Sequence, residues 1–168
     1  MTTRRDFIEL AAAATLASCT HTPPLAKTPP KNETSTTMRT RPLMTLRLTT
    51  APTQNMGPRI TFPITGGTFE GDRLRGKVLP GGDDWAIKRA DGVIELDLRA
   101  TLETDDGVLI HMTFEGVRDD AAPGAPYFRT FPRFETAEGK YAFLNKLLAV
   151  GVGEIRADGP VHLIEEIL

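Results

Sequence analysis

Asp97, Arg99, Thr101 and Glu103 occupy every second position of one run, and His111, Thr113 and Glu115 every second position of another. That period puts each set on one side of a strand. Brought together, they would hold carboxylates, an imidazole and a guanidinium within reach of one another. Those are the parts of general acid–base chemistry with a donor for a developing anion. In such a site Asp97 is the base or the orienter, His111 the proton shuttle, and Arg99 or Arg133 the oxyanion partner. The competing reading is the solvated side of a half-buried sheet. Against it stands the like-charge pair Asp97 and Glu115, which open solvent does not require, although Arg99 could bridge the two.

A second set is Tyr127, Arg129, Phe131, Arg133 and Glu135, which alternates with Phe128, Thr130, Pro132 and Phe134. Arginines interleaved with aromatics suit an aromatic or carboxylate-bearing ligand. They also suit a strand that is half core and half salt-bridged surface. Trp85, the only Trp, follows Asp83-Asp84 in a glycine-rich turn. It is either a ligand platform at a cavity mouth or a core plug. If the protein captures an apolar ligand without reacting it, Trp85, Phe131 and Tyr141 carry the binding.

The elements that must position these residues read almost entirely as strands. Met44, Leu46 and Leu48 alternate with Thr45, Arg47 and Thr49, and further apolar or alternating runs continue to Ile167. Gly66-Gly67, Gly81-Gly82-Asp83, Asp91-Gly92, Asp105-Asp106-Gly107 and Asp158-Gly159 read as the turns between them. A short helix is expected within Ala137 to Lys146, where Lys140, Tyr141 and Leu144 are helix-spaced. The fold class is therefore all-β, a sandwich or a single antiparallel barrel of calycin-like form with one short helix. Asp105-Asp106-Gly107 fixes one register. A three-residue loop with Gly107 in the left-handed conformation pairs Thr104 with Val108. Leu98, Ala100 and Leu102 then lie opposite Phe114, Met112 and Ile110 on one face, and the polar set lies on the other. A two-residue loop would mix the faces.

The N-terminus reads as an address. Arg4-Arg5 precedes an Ala-rich apolar stretch, Leu10 to Ala17, that ends in Leu16-Ala17-Ser18-Cys19. The stretch is far shorter than the ~20 residues a membrane-spanning helix needs, and it has the size of a signal-peptide core. The arginine pair resembles the twin-arginine export signal, and Leu-Ala-Ser-Cys resembles the lipobox whose Cys is lipidated. Residues 1–18 are thus expected to be a signal peptide and residues 19–42 a lipid-anchored disordered linker, with a barrel domain over 43–168. The linker holds Pro23-Pro24, Pro29-Pro30 and a Thr/Ser run, with too little apolar surface to offset the entropy of ordering. The expected location is periplasmic, anchored to the outer membrane through Cys19 alone.

Charge and composition narrow the chemistry. The linker carries a net +3, which leaves about −5 for residues 43–168. An acidic body does not fit nucleic acid, whose phosphates need a basic face. The body has no Ser, and Cys19 is the only Cys, so neither a serine nor a cysteine nucleophile fits. His111 and His162 stand alone without zinc spacing, and no glycine loop opens a helix as a phosphate site does. No metal and no cofactor is expected. The expected partner is a small molecule, and the oligomeric state is open.

Gly66-Gly67-Thr68-Phe69-Glu70-Gly71-Asp72, Leu79-Pro80-Gly81-Gly82-Asp83-Asp84-Trp85, Glu95-Leu96-Asp97-Leu98-Arg99, Tyr127-Phe128-Arg129-Thr130 and Tyr141-Ala142-Phe143-Leu144-Asn145 occur in this order. Together they resemble the domain-of-unknown-function family 3237, over residues 44 to 168. The resemblance implies a compact β-barrel. A few fungal relatives are associated with non-redox ring-forming chemistry on aromatic polyketides, and no agreed catalytic set carries over. The chain departs from the family pattern at Ala100, often Tyr there, and at Glu103, often basic. The leading expectation is a barrel that binds a small aromatic or carbonyl-bearing molecule and performs cofactor-free isomerase or lyase chemistry. The alternative is a non-catalytic ligand-binding or structural lipoprotein.

Overall fold

A computed structural model of the protein describes residues 37–137 and 139–168. The expected signal peptide, Cys19 and the expected linker as far as residue 36 lie outside the described residues. Within them the alternating sequence forms strands β1 (Thr40–Thr50), β2 (Gln54–Met56), β3 (Arg59–Glu70), β4 (Arg75–Val78) and β5 (Gly82–Lys88). Strands β6 (Ile94–Thr104), β7 (Leu109–Asp119) and β8 (Tyr127–Glu135) follow, then a 3₁₀ helix (Gly139–Lys146), β9 (Ala149–Arg156) and β10 (Gly159–Ile167).

All pairings are antiparallel. The order β6-β7-β8-β9-β10-β1-β3 returns to β6 through β4 and β5, which share one position between β3 and β6. The sheet closes on itself as an eight-strand barrel, and closure removes the unpaired edges an open sheet would expose. The short helix lies within the stretch the spacing predicts.

Inside and outside follow from the register. Thr104 and Val108 flank the β6–β7 turn, and Leu98, Ala100 and Leu102 pair Phe114, Met112 and Ile110, as the three-residue loop requires. Gly107 sits at φ 84°, the left-handed conformation a Cβ disfavours. The interior of this hairpin is fully buried, with Leu102, Ile110 and Met112 each at 0% exposure.

Gly66-Gly67, read above as a turn, instead lies within β3. A Cβ at Gly67 would sit 2.1 Å from the Arg47 carbonyl oxygen, and its φ is +146°. The pair lets β3 cross close over β1 without leaving the sheet, which a sequence scan cannot distinguish from a turn. Strand β1 also begins at Thr40 rather than after Pro42. Thr40 pairs Ile167, and Arg41 forms an ion pair with Glu166 at 2.8 Å.

The two ends of the barrel are finished differently. At one end the 3₁₀ helix inserts Tyr141 and Leu144, 4% and 1% exposed. The Tyr141 hydroxyl donates to Asp106 Oδ1 at 2.8 Å, Thr104 Oγ1 donates to the same oxygen at 2.6 Å, and Lys140 Nζ reaches Oδ2 at 2.7 Å. The Lys140 bond, then those of Thr104 and Tyr141, hold the Asp106 carboxyl well below the usual range. Glu166 takes both Arg41 and Arg73, and the Arg73 guanidinium lies 4.3 Å over the Phe143 ring. Among the described residues the other end carries no such plug.

Candidate functional site

The unplugged end holds a cavity of about 230 Å³. Its wall is mostly apolar, with Leu48, Phe62, Ile64, Leu98, Phe114 and Phe128. Thr50, Thr53 and Pro160 also line it, and the ionisable side chains of the lining are Asp84, Arg118 and His162. An apolar wall with a few convergent polar groups is the usual composition of a small-molecule site.

Asp84 enters the barrel because β5 alternates. Asp84 and Ala86 are buried, while Trp85 between them is exposed. β5 and β6 are bridged at Asp84–Leu98 and again at Ile87–Glu95. In the gap the Asp97 backbone N–H donates to Asp84 Oδ1 at 3.1 Å. No second hydrogen bond to the Asp84 carboxyl occurs among the described residues. Burial pushes this carboxyl up to about 7, against the lowering effect of the Asp97 N–H and with help from the Asp97 charge.

His162 is 1% exposed. Its ring packs between Phe114 and Phe128, each at 5.0 Å between centroids. Nδ1 is buried with no hydrogen-bond partner among the described residues, and burial pulls the imidazole down to about 4, so the ring is neutral at pH 7. Phe128 lies so close to β9 that a Cβ on Gly153 would meet its ring at 2.5 Å. Glycine there makes the room that lets Phe128 stand beside His162. Arg118 is matched by Asp120, with Nε and Nη2 donating to the two carboxylate oxygens at 2.7 and 2.8 Å. Among the described residues the cavity wall thus carries no unmatched cation.

The polar set predicted from sequence is brought together as expected, on the outer wall. Asp97 pairs Glu115, Arg99 pairs Thr113 and Thr101 pairs His111, while the opposite phase fills the interior. Side-chain exposure is 60% for Arg99 and 43% for Asp97, and their charged groups meet at 3.4 Å. His111 is exposed too and shares a shallow groove with Arg99 and Trp85. Trp85, at 43% exposure, is neither a core plug nor at the cavity mouth. It lines a second outer depression, of about 470 Å³, with Arg59, Asp97, Glu115, Val117 and Phe131. Tyr127, Arg129, Phe131 and Arg133 all point outward, and Arg129 covers the Tyr127 ring at 4.8 Å. Tyr141 belongs to the plug at the far end from the cavity.

Sequence reasoning missed Asp84, Arg118 and His162 as one site. For Asp84 the available signal was the phase shared with the small residue Ala86. For His162 it was the phase shared with Ile164. Among the described residues no group of three His, Cys, Asp or Glu side chains is arranged to hold a metal ion.

Comparison with known proteins agrees with this architecture. A UPF0311 protein of Rhodopseudomonas palustris is 34% identical over 134 residues, which cover 72% of this chain and 88% of that protein. The crystal structure of a β-barrel-like protein from Acinetobacter baumannii superposes with a TM-score of 0.73 at 32% identity, covering 79% of this chain and 97% of that one. An enzyme from Penicillium herquei superposes with a TM-score of 0.65 at 24% identity, over 86% of this chain and all of that one; at that distance the likeness speaks for the fold alone. Residues 38–166 match the family described as protein of unknown function (DUF3237), and this chain belongs to that family.

Proposed function

We propose that the barrel binds a small aromatic or carbonyl-bearing molecule in the cavity at its open end and acts on it by acid–base chemistry without a cofactor. The observation that carries this reading is the contrast in the wall, apolar throughout except for a few polar groups. Size supports it as well. A dry cavity of about 150 Å³ holds benzene, so one of about 230 Å³ suits a molecule of one or two rings. Titration calorimetry with 2-naphthol and 2-tetralone tests it, with Thr50→Trp as the blocked control. The expected result is binding to the native protein that weakens at least tenfold in the variant. Equal binding by both would refute the cavity as the site.

The same reading takes the protein to be an exported lipoprotein. Arg4-Arg5, the Ala-rich stretch and Cys19 support it. Radiolabelled palmitate should be incorporated by the native precursor and not by Cys19→Ala, which should appear in the soluble fraction. Equal labelling of both would contradict the anchor.

One observation favours a second reading, a non-catalytic binding surface on the outer wall. Trp85 and Phe131, both exposed, border the same depression as Asp97 and Glu115. A ligand there would change the fluorescence of Trp85, whereas one in the cavity would leave it nearly unaltered.

A further inference from the structure

We infer that Asp84 is the proton-transfer residue of the cavity, and that the molecule it acts on is an uncharged carbon acid such as an enolisable ketone rather than a carboxylate. The inference rests on the cavity reading above and deepens it.

The geometry separates two roles of one side chain. Asp84 Oδ1 accepts the Asp97 N–H in the gap between β5 and β6. An asparagine oxygen would do that equally well and without the cost of burying an ionisable group. The carboxyl therefore has something else to explain it: Asp84 lines the cavity, and its Oδ2, unlike Oδ1, has no hydrogen-bond partner among the described residues. The charged or titratable groups around it are few. From β6 comes Asp97, whose charge opposes a second negative charge. From β7 comes Arg118, already matched by Asp120 in a bidentate pair. From β10 comes the neutral His162, and β3 supplies only Thr61, Phe62, Pro63 and Ile64 opposite this stretch of β5. Nothing in that surrounding compensates an anionic ligand beside Asp84.

With a neutral substrate the step conserves charge inside the cavity. The α C–H bond breaks and its proton passes to Asp84 Oδ2. The electron pair of that bond forms the C=C bond of an enolate whose negative charge rests on oxygen. One negative charge is present before and after, so no ion has to be newly desolvated. The return step moves the proton from Asp84 to the same carbon or to a neighbouring one. A carboxyl that titrates near neutrality populates both the accepting and the donating forms, which is the condition for efficient general acid–base transfer.

The test uses 2-tetralone in D₂O, followed by NMR as the loss of its α-proton signals. The native protein should accelerate exchange above buffer, and the rate should rise with pH along a sigmoid centred near neutrality. Asp84→Asn, which retains the acceptor for the Asp97 N–H, should lose at least tenfold of that rate while its affinity for 2-tetralone changes less than threefold. Exchange by Asp84→Asn at the native rate would overturn the inference. So would a native rate that simply follows hydroxide concentration, a result that does not depend on the variant folding. Absence of 2-tetralone binding by the native protein would overturn the cavity reading itself and the inference with it; binding without exchange would overturn the inference alone.

Discussion

The two ends of this barrel are built from the same strands and solve opposite problems. At the plugged end, ionised groups sit at the surface and are paired, Asp106 with Lys140 and Glu166 with Arg41 and Arg73, while Tyr141 and Leu144 fill the space. At the open end the space is left, and the ionisable groups Asp84 and His162 are buried with few partners. Pairing favours the charged forms at one end and burial favours the neutral forms at the other. The difference teaches where the fold keeps its stability and where it leaves room. A fold that could have filled both ends has filled one, and it keeps unpaired titratable groups where it has not.

The largest effect expected from that contrast is in packing. Leu144→Ala removes a side chain from a filled plug and should cost roughly 3–4 kcal/mol, whereas Leu48→Ala enlarges a space that already exists and should cost about 2 kcal/mol. Urea unfolding of the two variants measures the difference, and equal losses would mean that the open end is packed as tightly as the plugged one.

Next comes pH. Between about pH 4 and 7 the folded protein keeps a proton on Asp84 that the unfolded chain releases, so this group's contribution to stability falls as pH rises. Between about pH 4 and 6.5 the unfolded chain instead holds a proton on His162 that the fold excludes, so that contribution rises with pH. The two slopes oppose each other, and native stability should be nearly flat across pH 4.5 to 6. Asp84→Asn should uncover a rise, and His162→Phe a fall, each approaching about 2 kcal/mol across the window. Denaturant titrations at stepped pH read this directly, and slopes of the same sign in the two variants would break the account.

How much of this was legible in the sequence also divides along the barrel. The outer and inner phases of β6, β7 and β8 were readable, because Leu98 to Leu102, Ile110 to Phe114 and Phe128 to Phe134 alternate cleanly, and Asp105-Asp106-Gly107 fixes the β6–β7 register. The polar set built on Asp97, Arg99 and His111 was therefore assembled correctly; its facing outward needed the closed sheet to show. Asp84 was hidden because β5 is short and opens at Gly82, so the phase Asp84 shares with Ala86 was a weak signal beside the competing phase of Asp83 and Trp85. His162 was hidden because Val161-His162-Leu163-Ile164 does not alternate, and both Val161 and His162 are buried. Gly66-Gly67 misled for a related reason, since glycine marks close strand approach as readily as it marks a turn.

Two smaller effects sharpen the comparison further. Tyr141→Phe removes only the hydroxyl that Asp106 accepts, and should cost about 1 kcal/mol while leaving affinity for 2-naphthol unchanged. A loss of affinity would tie the plug to the ligand site. Asp97→Asn and Arg99→Met, on the outer wall, should each change stability by no more than about 0.5 kcal/mol. Neither should alter binding in the cavity, and a tenfold loss in either would return the site to the outer face.

The central claim, that the open end is where the ligand sits, is tested most directly by titrating 2-naphthol into ¹⁵N-labelled protein and mapping amide shifts. The account predicts the largest changes at Leu48, Asp84, Phe114, Phe128 and His162, with Trp85 and Phe131 nearly still. Shifts confined to Trp85, Val117 and Phe131 would contradict it.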